Sequence, residues 1–426
     1  MSEYSKLSAL ELEKEYNEVK AHYDSLYDKK LQLDMARGKP SPEQMDISTK
    51  LFEIVSKDIG YKNADGIDCR NYGGLDGLSE LKDLFAQLMT VDPEQVIVGG
   101  NSSLNMMYDT VSQAMTHGFG GEKPWLLQGE VKFICPVPGY DRHFAICEYF
   151  GIKMIPVDLK NDGPDMDTVE ELVKDSSVKG MWCVPKYSNP DGVIYSDEII
   201  KRIANLKPAA PDFRVFWDNA YTIHHLTEKK NVIASIYEEC VKAGNDDLPI
   251  IFTSTSKMTF PGAGVAAEAS SPKNVAELKH RMSFQTIGPD KLNQLRHARI
   301  FKNIDILYKH MEEHAKVLYP KFQTVLQGLD KYLKESGIAS WTEPEGGYFI
   351  SLNVSEGYAK RTVELCKNAG LVLTNAGATY PYGHDPKDSN IRIAPSYPSN
   401  DELAIATELL CISARLAVLE KMLGKR

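Results

Sequence analysis

The side chains best suited to chemistry follow short apolar runs at four places in the sequence. After Val96-Ile97-Val98 comes Gly99-Gly100-Asn101-Ser102-Ser103. Two glycines let the backbone approach a ligand closely, and a Ser or Asn cap leaves helix N–H groups free to meet a phosphate. Taken alone, a plain capped turn accounts for the segment better. After Trp182-Cys183-Val184 comes Pro185-Lys186-Tyr187-Ser188-Asn189-Pro190-Asp191-Gly192, which is either a proline-rich turn or an Asn189 amide held rigidly by Pro190. After Arg214-Val215-Phe216-Trp217 comes Asp218-Asn219-Ala220-Tyr221. A carboxylate ending a buried strand is costly unless a cation meets it; an ordinary helix cap is an equal reading. After Ile250-Ile251-Phe252-Thr253 comes Ser254-Thr255-Ser256-Lys257, whose amine is either a snorkelling surface group or a nucleophile. The small and apolar residues that follow, Met258 to Gly264, suggest a buried turn and move the reading toward a reactive amine.

These residues need a scaffold that brings four strand ends to one edge. From about residue 90 to 270, apolar runs (Gln95–Val98, Lys132–Ile134, Lys153–Val157, Gly180–Val184, Arg214–Trp217, Ile250–Thr253) alternate with helical stretches. This predicts an α/β fold with a mainly parallel sheet covered on both faces, in which ligands bind at the carboxyl ends of the strands. A Glu- and Lys-rich amphipathic helix is expected over Leu7–Tyr27, followed by a short apolar start at Leu33 that breaks at Gly38 and Pro40. One long helix is expected over Asp290–Tyr332, with Pro320 as a kink or boundary. The last hundred residues, with runs at Gly347–Leu352, Leu371–Leu373 and Ile391–Ile393 and a helix near Ser399–Leu423, read as an α+β lobe. The expected division is residues 1–50 as an N-terminal helix and arm belonging to the small domain, 51–300 as the large domain, and 301–426 as the small C-terminal domain.

Composition narrows the function. The 426 residues are 42% apolar and 25% charged, ordinary for a globular protein. The net charge of −10 offers no basic field for nucleic acid or an anionic membrane. No apolar stretch approaches a membrane span, no leader peptide is evident in the first thirty residues, and no metal site is expected. The seven cysteines include no C-x-x-C pair and read as free buried thiols of a reducing cytoplasm.

A phosphate cup, an Asn-Pro turn, an Asp with a Tyr three residues on, and a Lys, in that order along one sheet, are far more specific together than singly. Jointly they suit an aldehyde cofactor carrying a phosphate, a phenolic oxygen and a ring nitrogen, which is pyridoxal 5'-phosphate (PLP). On Ala36-Arg37-Gly38-Lys39-Pro40, Asn71-Tyr72-Gly73-Gly74-Leu75-Asp76-Gly77, Gly99-Gly100-Asn101, Pro138-Gly139-Tyr140, Ser188-Asn189-Pro190-Asp191-Gly192, Asp218-Asn219-Ala220-Tyr221, Ser254-Thr255-Ser256-Lys257 and Arg392, nearly the whole chain resembles the class I aminotransferases of fold type I, and within them the type Ic aspartate aminotransferases.

The resemblance implies a large domain with a mainly parallel seven-stranded sheet, a smaller α+β domain, and a homodimer with shared sites acting on amino acids and 2-keto acids by a ping-pong Schiff-base mechanism. It implies that Lys257 carries PLP, that Asp218 pairs with the pyridine nitrogen, and that Tyr221 and Asn189 bond the phenolic oxygen. Tyr140 would stack on the ring, and Gly100, Asn101, Ser102 and Ser254 would hold the phosphate, with Tyr72 reaching the phosphate of the neighbouring subunit. Arg392 would grip the substrate α-carboxylate beside Gly38 and Asn189. The family's phosphate-binding Arg is missing from Gly262-Ala263-Gly264. For a distal substrate carboxylate the candidate cations are Arg37, Lys39, Arg70, Arg142, Lys186 and Arg281, and His143 is a candidate to tune Asp218. The leading reading is an aspartate:2-oxoglutarate aminotransferase. The alternatives are an aminotransferase for aromatic or other amino acids and a PLP-binding regulator, for which the roughly 35 residues before Arg37 leave too little room for a DNA-binding domain.

Overall fold

The computed structural model describes residues 3–425. Its central sheet contains β1 (Val96–Gly99), β2 (Lys132–Val137), β3 (Lys153–Lys160), β4 (Gly163–Pro164), β5 (Val178–Cys183), β6 (Arg214–Asp218), β7 (Pro249–Ser254) and β8 (Ala266–Ala269), in the spatial order β1-β8-β7-β6-β5-β2-β3-β4. Strands β7, β6, β5, β2 and β3 are mutually parallel. β8 runs antiparallel between β1 and β7, so β1 points the same way as its parallel neighbours. The expected seven strands are those of four or more residues, and the two-residue β4 adds an antiparallel edge.

The apolar runs are continuous because both faces of the sheet are covered. Their side chains nevertheless alternate: Ile134, Met181, Val215, Trp217 and Ile251 enter one core, while Phe133, Cys135, Trp182, Phe216, Ile250 and Phe252 enter the other. A third core is built from both ends of the chain. It joins Val19, Tyr23 and Leu26 of the helix Ala9–Tyr27 to Leu403–Leu419 of the helix Asn400–Met422. It also takes in the three-stranded antiparallel sheet Ala339–Trp341, Ile350–Val354 and Asn390–Ile393.

The stretch expected as one helix from Asp290 to Tyr332 is two: Lys291–Ile300 and Ile304–Leu333. The break falls at Phe301–Asn303, where the Asn303 side chain accepts from Ile306 N at 3.0 Å and caps the second helix. Pro320 lies inside that second helix and does not end it. Leu307 and Met311 of this helix pack below the sheet, whereas Leu318, Phe322, Val325, Leu329 and Leu333 pack in the terminal core. One rod therefore belongs to both halves.

The segment after Leu33 is laid along the C-terminal lobe. Leu33–Asp34 pairs in parallel with Leu371–Val372, and Ala394 N donates to Met35 O at 3.0 Å. A Cβ at Gly38 would lie 2.6 Å from the Phe349 ring, so the close approach of these two segments requires glycine there. All seven cysteines are free and buried. Among the described residues, no helix is long and apolar enough to cross a membrane.

Candidate active site

Asp218 is the last residue of β6 and is 3% exposed. Its Oδ2 accepts from His143 Nε2 at 3.0 Å, while its Oδ1 is buried without a partner. His143 is itself buried and stacks on Trp182, the ring centroids 4.4 Å apart and 9° from parallel. A carboxylate with one oxygen satisfied and the other left open is prepared to receive one more N–H donor.

Lys257 sits in the turn leaving β7, three residues beyond Ser254. The turn is pinned: Met258 N and Thr259 N both donate to Thr255 O, and the Tyr348 hydroxyl donates to Lys257 O at 3.3 Å. The amine lies 5.0 Å from the centroid of the Tyr221 ring. Burial pushes its pKa below the usual lysine value, Asp218 opposes that shift, and Arg392 reinforces it. Tyr221 is buried; desolvation holds its hydroxyl well above the ordinary phenol range, and neighbouring Tyr140 and Asp218 add to this. Tyr140 immediately precedes the helix Asp141–Tyr149 and meets His143 edge-on at 4.9 Å. Burial pushes its pKa up to about 12.

The turn after β1 forms an open cup. Gly100 has φ +59°, with nothing within 4 Å of the position a Cβ would take. Ser102 caps the helix Ser103–His117 by accepting from Leu104 N at 3.2 Å. Ser254 Oγ donates to Ser256 Oγ at 3.1 Å, and Ser256 Oγ donates to Asn101 O at 3.2 Å, which ties the β7 turn to the cup. Gly264 closes on the same place, its missing Cβ 3.2 Å from both Asn101 O and Ser256 N. Its loop is held by the Asn293 amide, which donates to Ala263 O and Gly264 O. A helix N-terminus and the hydroxyls of Ser102, Ser254 and Ser256 therefore border the cup.

Arg392, 6% exposed, enters from the small sheet. Its Nη1 donates to Asn189 Oδ1 at 3.3 Å and to Asp141 Oδ1 at 2.8 Å; its Nη2 donates to Thr374 Oγ1 at 3.2 Å. The guanidinium lies 4.8 Å over the Phe349 ring, whose edge is what Gly38 touches. The structure thus joins Gly38, Asn189 and Arg392, and it links Lys257 to Tyr221 and Tyr221 to Asp218 and Tyr140. Tyr72 stands apart: it is 82% exposed.

Several neighbours were not read from the sequence. Asp141, directly after Tyr140, and Thr374 both hold Arg392; Phe349 supports it. Tyr348 accepts from Gln44 Nε2 at 2.9 Å and lies face-on to Tyr221. His224 is buried between Tyr221 and Tyr348, and desolvation, then the Lys257 charge, push it well below the ordinary histidine pKa. Only Asp141 had a local signal, as an acid opening a helix. Among the candidate distal cations, Arg70 pairs with Asp68 at 2.6 Å, and Lys39 lies 3.8 Å from Asp34 and 3.7 Å over Tyr397. Lys186 is buried against Thr222 O at 2.7 Å, Arg37 and Arg142 are exposed, and Arg281 carries buried Nε and Nη1 atoms without partners.

Comparison with known proteins identifies the family of the chain. The family described as "Aspartate amino-transferase" matches residues 7–426. An aspartate aminotransferase of Corynebacterium glutamicum is 47% identical over 406 residues, which span 95% of this chain and 94% of the relative. The crystal structure of an aspartate transaminase from that species superposes with a TM-score of 0.96 at 45% identity, covering 99% of each chain. An α-aminoadipate aminotransferase of Thermus thermophilus, solved with N-(5'-phosphopyridoxyl)-L-leucine, shares the fold at a TM-score of 0.72 and 20% identity, over 96% of this chain and 98% of that one.

Proposed function

The chain belongs to the aspartate aminotransferase family, and from that membership we propose that it moves the amino group of aspartate to 2-oxoglutarate using PLP bound at Lys257. The observation that carries the reading is the half-satisfied buried Asp218, placed on the same sheet edge as Lys257 and the open cup. The residues fit the cofactor. Asp218 Oδ1 has a lone pair for a ring N–H, Tyr221 and Asn189 offer donors for a phenolic oxygen, and the Gly100–Ser102 cup with Ser254 suits a phosphate. Bound PLP supplies an aldehyde for a Schiff base and a cationic ring that accepts the electrons of a breaking Cα–H bond.

The chain's own groups do the rest. Asp218, anchored by His143, keeps a ring nitrogen protonated. Lys257, its pKa depressed by burial, is an amine that would pass its carbonyl partner to the substrate's nitrogen and be left free. Once free, Nζ would take the proton from Cα and deliver it to the former aldehyde carbon on the far side of the shared nitrogen, two bonds away, a transfer within reach of one flexible side chain. Arg392, fixed by Asn189 and Thr374 and backed by Phe349, orients Cα–H by gripping the α-carboxylate with a planar fork.

We assign the site to a homodimer in the cytoplasm. Tyr72, Phe284 and Ile287 are exposed on either side of the packed pair Gly73 and Gly288, and this is the face we propose a second copy covers. Seven buried free thiols suit a reducing compartment. The division at residues 51 and 301 is part of the same proposal. Titrating purified holoenzyme with aspartate, glutamate and aromatic amino acids while recording the cofactor absorbance tests the assignment. Conversion at the lowest concentration with aspartate or glutamate supports it, and conversion by aromatic donors alone would reassign the substrate.

A further inference from the structure

The guanidinium that the proposed function assigns to the substrate α-carboxylate already holds a carboxylate of this chain. Asp141 Oδ1 lies 2.8 Å from Arg392 Nη1, with Arg392 6% and the Asp141 side chain 33% exposed. A charge-assisted bond of this length to a buried guanidinium is among the stronger polar contacts a protein makes. Two carboxylates on one guanidinium repel each other, and the low dielectric around Arg392 sharpens that repulsion. An arriving substrate therefore either displaces Asp141 or binds beside it with much of the cation's charge already cancelled.

The surroundings favour displacement. Asp141 is the first residue of the helix Asp141–Tyr149, so a carboxylate released from Arg392 remains at the positive end of a helix, partly in water. Arg392 does not depend on Asp141 for its orientation. Asn189 holds Nη1, Thr374 holds Nη2, and Thr374 is itself fixed by donating to Ala36 O at 2.6 Å. Buried Nε has no partner, so donors remain to complete a fork for an incoming carboxylate.

We propose that Asp141 is a built-in competitor for Arg392: it satisfies the guanidinium between turnovers, and every substrate must displace it, so it sets the affinity of the site for carboxylates. The inference rests on Arg392 being the α-carboxylate receptor. Because the penalty belongs to the Asp141–Arg392 pair, it is the same for any carboxylate that takes the place of Asp141.

The test uses the holoenzyme, calorimetric titration with succinate as an unreactive dicarboxylate, and steady-state kinetics with aspartate. In Asp141→Asn, the succinate Kd and the aspartate KM should both fall by about tenfold, the size of one charge-assisted hydrogen bond. The gain should fall on KM, so kcat/KM rises by the same factor. Asp141→Ala should show the same gain without offering a new acceptor. Weaker or unchanged succinate binding in both variants would overturn the proposal and make Asp141 an orienting residue. Arg392→Lys tests the premise separately. It should weaken succinate binding, and if it does not, Arg392 is not the receptor whatever the Asp141 variants do.

Discussion

A carboxylate buried at the end of a strand holds its charge only if donors surround it, and Asp218 has one donor in place and room for another. Asp218→Ala removes both, and the expected outcome is a protein that still binds some cofactor but turns over several orders of magnitude more slowly, in line with the loss of a main electrostatic stabiliser. Stopped-flow measurement of the first half-reaction with aspartate checks this. Lys257→Ala should abolish both the cofactor's visible absorption band and transamination; full activity in that variant would remove the central assignment. At this scale much was legible. Asp218 directly follows an apolar run, and Lys257 comes a short polar turn after another, so each charged group is conspicuous in one dimension. The Asp141–Arg392 contact was not, because it joins residues 251 positions apart and depends on how two lobes meet.

Among the strands that the apolar runs did not announce, β8 is the one that lies inside the central sheet. Its four residues, Ala266-Ala-Glu-Ala269, contain no β-branched side chain, and it holds its place by pairing with β1 and β7 on both sides. Glu268 sits fully buried in it, with Oε1 unpartnered and Oε2 3.4 Å from the Thr110 hydroxyl. Burial pushes its pKa to about 7 from an ordinary 4.5, with Arg281 opposing. Because the folded-state pKa is the higher one, this carboxyl's contribution is fully present below about pH 4.5 and is lost as pH rises through about 7. Glu268→Gln should thus gain about 2 kcal/mol over the parent at pH 8 relative to pH 5, read from urea denaturation at the two pH values. The helix break at Asn303 offers a simpler check. Asn303→Ala removes the cap on Ile306 N and should lower stability by about 1 kcal/mol. The break was hidden because Phe301, Lys302 and Asn303 carry neither Gly nor Pro, while Pro320, the visible breaker, is carried within a helix whose packing in two cores outweighs one missing hydrogen bond.

In the whole molecule, the pocket draws on distant parts of the chain: Gly38 from one end, Arg392 from the other, and Asn189, Asp218 and Lys257 from the middle. If two copies share their sites through Tyr72, mixing Tyr72→Phe with Lys257→Ala subunits should restore intact sites, because each mixed pair contains one site with both residues native. Activity at limiting cofactor, compared with either parent alone, measures this, and no recovery would mean that each subunit is self-sufficient. The α/β architecture was readable from alternating runs and helical stretches. The union of both termini in one core was expected in outline, and its contacts could be seen only in three dimensions.

That union also imposes a timetable on synthesis. Residues 96–269 emerge from the ribosome together and contain the strands that carry Asp218, Lys257 and the cup, whereas Arg392 and the helix Asn400–Met422 arrive last. The side chains assigned to the cofactor on these strands thus leave the ribosome ahead of the one assigned to the substrate carboxylate, by the more than one hundred codons that separate residue 269 from Arg392.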